Sequence, residues 1–338
     1  MKSTQIDWLN IGLMFLALIL ALKIPFELFL FSYAVMGPLH YLTEINWLKE
    51  RNYFSKNKNV FWIMLAISIF ISASPVITAL SHWNITESYF DFWTIDHPIR
   101  KGLMQWSPTL IFGSIIAAVC VAFIENIWIA ILAAVGAMIL GFFLQGQEFY
   151  IVWLGVFTPT LIHVYIFTLL FMLYGALKTK STPGIFAVMA LIFCAFIIFT
   201  YSFKKFEIPS ELTLQRFDDS TFKSVSERIL QYFGMKSKIV GHINVTFIRI
   251  QSFIAFAYTY HYLNWFSKTS IIKWYETDKK QLIFIGIIWV SSVVLYYYDY
   301  HAGLTVLFLL SFMHVLLEFP LNVVSIKGII NIARRKEK

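Results

Sequence analysis

Charge is scarce in this sequence. Only 14% of its 338 residues are Asp, Glu, Lys or Arg, against 59% hydrophobic and 18% aromatic, and the mean hydropathy is +0.69. A soluble domain carries about a quarter charged residues. The deficit excludes an ordinary water-soluble fold and predicts an all-α, polytopic integral membrane bundle forming a single domain over residues 1–338. Cysteine is nearly absent too. Cys120 and Cys194 fall in apolar runs, where a thiol acts as a small hydrophobe, so neither a disulfide framework nor a zinc–thiolate site is expected. There is no glycine-rich phosphate loop, nucleophile elbow, Cys-x-x-Cys pair, heptad run or low-complexity tract. Phosphate-cradling, serine-hydrolase, dithiol and coiled-coil readings therefore have no support in the sequence. The net charge of +8 does not imply nucleic acid, because cations in the connectors of a membrane protein record its orientation. The expected partner is the lipid bilayer.

Apolar runs are abundant. A crossing takes about 20 apolar residues, and ten candidate spans lie near residues 7–23, 25–48, 59–81, 107–124, 126–145, 148–177, 184–203, 240–266, 281–299 and 302–326. The first run has no small-residue cleavage site after it and is read as a retained helix rather than a signal peptide. With a cytoplasmic N-terminus, the inner connectors and ends collect Lys2; Lys49, Arg51, Lys56 and Lys58; Lys178 and Lys180; Lys268, Lys273, Lys279 and Lys280; and Lys327, Arg334, Arg335, Lys336 and Lys338. The short outer connectors hold only Lys23, Arg100 and Lys101. Both termini are therefore expected on the cytoplasmic side of the cell (inner) membrane.

Two outer connectors are long. Residues 82–106 carry the interface aromatics Trp83, Phe90, Phe92, Trp93 and Trp106. Residues 204–239 contain a helical apolar stripe, Phe222, Val225, Ile229, Leu230 and Phe233, after an acidic and hydroxyl-rich start and before Gly234. This predicts a short amphipathic helix on the outer membrane surface, placed to cover an entrance, with packing over the loops as the alternative.

Within the apolar spans, Gly37-Pro38-Leu39-His40-Tyr41-Leu42-Thr43-Glu44 places an imidazole and a carboxylate on one helix face. Such groups are costly in hydrocarbon and mark a functional site. His163, His261 and His314 also fall inside spans, and His314 with Glu318 repeats the spacing of His40 with Glu44. The other four, His82, His97, His242 and His301, fall in outer connectors or helix ends, where solvated imidazoles need no special role. Helix bundles build metal sites from inward side chains on facing helices, so His40, His163, His261 and His314 are the candidate ligands. Glu44 and Glu318 are candidate partners of the second imidazole nitrogen. His163 lies fifteen residues from its nearest inner cation and His261 seven, a depth difference of roughly 12 Å at about 1.5 Å per residue. Pro38, Pro159 and Pro320 stand near His40, His163 and His314, where proline kinks or interrupts a helix and can close such a gap. Neutral imidazoles without thiolate suit iron, copper or zinc rather than magnesium or calcium; haem between paired histidines remains a separate option. Tyr41, Trp47, Tyr165, Tyr258, Tyr260, Tyr262 and Trp265 are candidates for lining a cavity for an apolar substrate.

With about ten spans, Gly37-Pro38-Leu39-His40 on the second, and several intramembrane histidines with nearby acids, the chain resembles the bacterial membrane-bound β-carotene 15,15'-dioxygenases. The resemblance implies an integral-membrane, non-haem iron enzyme that holds Fe(2+) on histidines and cleaves a carotenoid to retinal. Only His40 is carried over from it residue by residue. The family's pair of histidines four residues apart has no counterpart, since Phe167 follows His163 at that spacing and Trp265 follows His261. The expected function is thus a metal-dependent oxygenase of a lipid-soluble substrate, carotenoid or apocarotenoid first. A lipid hydroxylase or desaturase and a proton- or metal-coupled transporter are the alternatives.

Overall fold

The computed structural model describes residues 3–51, 59–81, 97–124, 126–203, 206–220, 222–234, 245–268 and 277–336. Among them every regular element is a helix. In chain order these are α1 (Ser3–Lys23), α2 (Pro25–Phe31), a π-helical turn (Ser32–Met36), α3 (Gly37–Arg51), α4 (Asn59–Ser81), α5 (Pro98–Phe123), α6 (Ile127–Leu144) and α7 (Glu148–Val152). A π-helical run (Trp153–Phe167) follows, then α8 (Thr168–Thr179), α9 (Thr182–Thr200), α10 (Glu211–Asp219), α11 (Phe222–Tyr232), α12 (Val245–Ser267), α13 (Lys279–Tyr298) and α14 (Tyr300–Lys336). His82, His242, Trp83, Phe90, Phe92, Trp93 and the connector cations Lys56, Lys58 and Lys273 lie outside the described residues.

Five helices among the described residues are long and apolar enough to cross a membrane: Thr4–Lys23, Leu161–Thr179, Thr182–Thr200, Lys279–Tyr298 and Tyr300–Arg334. Shorter apolar helices cover Phe61–Ala73, Gln105–Cys120 and Trp128–Leu144. The apolar side chains do not all turn inward. On α6, Trp128, Leu132 and Phe143 are 76%, 71% and 72% exposed, and on α13 Ile283, Phe284 and Ile287 are likewise open. Apolar surface on that scale suits lipid rather than water.

The chain divides into two compact units, one of Met1–His40, Val156–Ile287 and Val324–Lys338, the other of Tyr41–Gly155 and Ile288–Val323. In the first, α1 packs on α9 and α12, and α12 packs on α2 and α11. Two polar ties fix α12. The hydroxyls of Ser32 and Thr259 lie 2.7 Å apart, and the Tyr260 hydroxyl donates to Asn10 Oδ1 on α1 at 3.2 Å. A dense aromatic cluster surrounds Phe222 of α11, whose ring centroid lies 4.4 Å from Phe29, 5.0 Å from Tyr33 and 5.7 Å from Tyr258. The amphipathic helix expected between Ser220 and Gly234 is therefore present, and its stripe residues Phe222, Ile229 and Leu230 are buried within this unit. Of the two placements open from sequence, that burial matches the packed one.

The turn between α8 and α9 is closed locally. Lys180 adopts φ +53°, the left-handed conformation that ends many helices. Ser181 then caps α9, its Oγ accepting from Gly184 N–H at 3.1 Å while donating to Asp7 on α1. Glycine at 184 is required by space, since a Cβ there would meet Ala176 Cβ at 2.8 Å. Ser181→Ala removes the cap and the link to α1, and is expected to cost about 0.5–2 kcal/mol, read as a lower thermal midpoint of the detergent-solubilised chain.

The second unit is built around α5 packed on α4 and α6. Its core gathers Leu48, Met64, Ile71, Ile115, Tyr150, Leu154, Phe312, Leu316 and Leu317.

Candidate metal centre

Proline and π-helical geometry set the stage for His40. Pro38 lacks an N–H and its ring clashes with the carbonyl four residues back. The turn just before it is π-helical, and Gly37 N–H donates five residues back, to Ser32 O. His163 sits in the second π-helical run, which also contains Pro159. π-helical turns are rare and concentrate at functional sites. Pro320, by contrast, lies inside the continuous α14.

In the first unit His261 lies beside both His40 and His163, the three being only 6%, 1% and 2% exposed. His40 Nε2 and His261 Nε2 are 3.0 Å apart, with the rings nearly perpendicular at 80°. The His163 ring lies 5.4 Å from that of His261, and a ligand nitrogen of each lies within 4.8 Å of the other. Behind His261, its Nδ1 meets Thr168 Oγ1 at 2.8 Å, while Thr168 Oγ1 donates to Val164 O at 2.8 Å. A threonine hydroxyl has one proton. With that proton on Val164, Thr168 accepts from His261 Nδ1–H, so the Nε2 of a neutral His261 carries its lone pair toward His40.

The spacing of the His40 and His261 nitrogens fits a shared metal ion. Two ligands about 2.1 Å from one ion and at right angles lie about 3.0 Å apart, and opposed ligands about 4.2 Å apart. An imidazole ligand that donates its other nitrogen to a fixed acceptor is the usual way a metal-binding histidine is oriented. Without an ion the same pair is joined by a hydrogen bond from His40 Nε2–H into the His261 lone pair.

The second unit holds the remaining histidine. His314 Nε2 lies 3.4 Å from Glu44 Oε2 and 3.5 Å from Glu318 Oε2. Its Nδ1 faces Ser311 O at 3.3 Å. Glu44 and Glu318 are buried, and the Tyr41 ring lies 4.8 Å from that of His314.

The aromatic residues divide by position. Tyr262 and Trp265 flank His40, with ring centroids at 5.1 and 5.6 Å, and Tyr41 flanks His314. Tyr165 donates from its hydroxyl to Leu191 O at 3.1 Å and packs on Phe253. Tyr260 is committed to Asn10, Tyr258 belongs to the Phe222 cluster, and Trp47 packs on the core of the second unit. His97 and His301, expected to have no special role, lie at the starts of α5 and α14. Thr168, Ser32, Thr259 and Asn10 are the supporting residues that sequence reasoning missed. A lone hydroxyl or amide in an apolar span normally bonds its own helix backbone, so nothing in the sequence distinguished these four. No family model matches the chain, and neither a curated protein nor a solved structure matches it.

Proposed function

We propose that this protein is a membrane-embedded oxygenase that holds a non-haem ferrous ion on His40, His163 and His261 and acts on a lipid-soluble substrate, a carotenoid or apocarotenoid before other lipids, to give retinal-like products. The observation that carries the reading is the 3.0 Å approach of two Nε2 atoms with the Nδ1 of one secured on Thr168. Iron on imidazoles with open positions supplies dioxygen activation. The protein's own part is to bind, orient and exclude water. Thr168 fixes the tautomer of His261, the ties from Thr259 and Tyr260 hold α12 in place, and Tyr262 and Trp265 present apolar ring surface beside His40. Haem held by His40 and His261 is the alternative cofactor, and a Soret band in the purified chain would mark it. The carotenoid preference rests on the resemblance carried by Gly37-Pro38-Leu39-His40. The proposed topology is ten spans with both termini cytoplasmic in the cell membrane.

The purified full chain is expected to retain iron stoichiometrically and show no Soret band. It should consume dioxygen when given β-carotene in micelles. A preparation that moves protons or metal ions across vesicles and keeps no tightly bound metal overturns the oxygenase reading in favour of a transporter. Reporter fusions at Lys58 and Lys180 should read cytoplasmic and one near Ser220 external; a single inverted reporter breaks the topology.

A further inference from the structure

We infer that Gln251 of α12 reads the polar end of the substrate, so that the protein prefers a carotenoid carrying a ring hydroxyl over the bare hydrocarbon; the inference rests on the carotenoid reading proposed above and narrows its substrate class. Gln251 and Ser226 of α11 are both 0% exposed. The Ser226 hydroxyl reaches Gln251 Oε1 only at 3.5 Å, the outer limit of a hydrogen bond, and no described residue offers Gln251 Nε2 a partner. A buried donor in that state is costly, and native interiors rarely keep one. Turning the amide over would bring Nε2 to Ser226 and strand Oε1 instead, so one end stays open in either orientation. An incoming hydroxyl both donates and accepts. It completes either arrangement, and a hydrocarbon completes neither.

The place of Gln251 suits an end group rather than a reacting bond. It stands ten residues before His261 on α12, about 15 Å along the axis at about 1.5 Å per residue. Ring surface covers the interval. Tyr258, two turns beyond Gln251, has its ring centroid 6.1 Å from that of Tyr262, and the Tyr262 ring lies 5.1 Å from His40 and 5.6 Å from His261. On α11, Phe222 packs on Tyr258 at 5.7 Å, and Ser226, one turn later, faces Gln251. An extended polyene fits this order, with its hydroxyl on Gln251, its apolar body along Tyr258 and Tyr262, and its scissile double bond, many bonds from the ring, at the histidines. Polyene cores are alike, so the end group is what distinguishes one carotenoid from another. A site that hydrogen-bonds a substrate hydroxyl rejects the analogue lacking it far better than an apolar pocket rejects an added group.

Binding tests the assignment independently of turnover. The full chain in detergent, stripped of metal, is titrated with β-carotene or with zeaxanthin, which adds a hydroxyl to each ring, and quenching of tryptophan fluorescence gives the two dissociation constants. Wild type is expected to bind zeaxanthin about 2- to 10-fold tighter, the range for one neutral hydrogen bond. Gln251→Leu, similar in size without the amide, should equalise the two. Ser226→Ala, which leaves Gln251 Oε1 unheld, should narrow the preference and decides the point if the leucine variant fails to fold. A preference kept in Gln251→Leu, or absent from wild type, overturns the assignment and leaves Gln251 holding a structural water, which is indifferent to the end group. Failure to bind either carotenoid overturns it together with the carotenoid reading. Dioxygen uptake by the iron-loaded chain separates the two claims. Zeaxanthin preference without uptake supports the role of Gln251 and removes the oxygenase reading, whereas uptake with β-carotene and equal binding of both carotenoids removes the role of Gln251 and keeps that reading.

Discussion

Replacing His261 by alanine is expected to remove the ion proposed on His40 and His163 and to abolish oxygenase activity. His261 is the common neighbour in that cluster: its Nε2 meets His40 at 3.0 Å, its ring lies beside His163, and its Nδ1 is secured on Thr168. Removing it deletes a ligand and leaves a buried imidazole on His40 and a hydroxyl on Thr168 without these partners, each costing about 1–3 kcal/mol. A graded result is expected one step out. Thr168→Val keeps the shape but offers no acceptor, so His261 loses its fixed tautomer, and affinity should fall by about 10- to 100-fold, the range for partners behind a ligand. Thr168→Ser restores the acceptor and should restore affinity. Metal content and dissociation constants for the three variants check this order. Wild-type affinity in Thr168→Val would show that Thr168 serves packing alone.

The second large effect is structural. Phe222→Ala is expected to destabilise the first unit by about 3–5 kcal/mol, the usual cost of emptying a buried phenylalanine site. Its ring is 6% exposed and touches Phe29, Tyr33 and Tyr258. Tyr258 stands one helical turn before His261 on α12, so the cavity should lower metal affinity together with the thermal midpoint. Leu212→Ala is the matched control: Leu212 on α10 is 57% exposed, and the change should stay within about 0.5 kcal/mol. Altered substrate uptake at unchanged stability in Phe222→Ala would instead return α11 to the role of a surface cover over an entrance.

The helical class was legible in composition and hydropathy, because a chain this poor in charge and rich in apolar runs satisfies its backbone within each segment. The cost of burying His40, Glu44, His163, His261, His314 and Glu318 was legible for the same reason, and each is buried in the structure. So was the one-turn spacing of each His–Glu pair, a local property of helix geometry. Partnership was not. Spacing suggested that Glu44 serves His40, its neighbour on α3, yet the Glu44 carboxylate lies 3.4 Å from His314 Nε2 on α14. Thr168 gave no signal at all and stands behind His261. Periodicity fixes which face of a helix a side chain occupies; what it meets there depends on which helix packs against that face. At His40 and His163 the direction also depends on π-helical turns, which shift the phase of every later residue and leave no hydropathy pattern of their own. Tertiary packing therefore decided the partners.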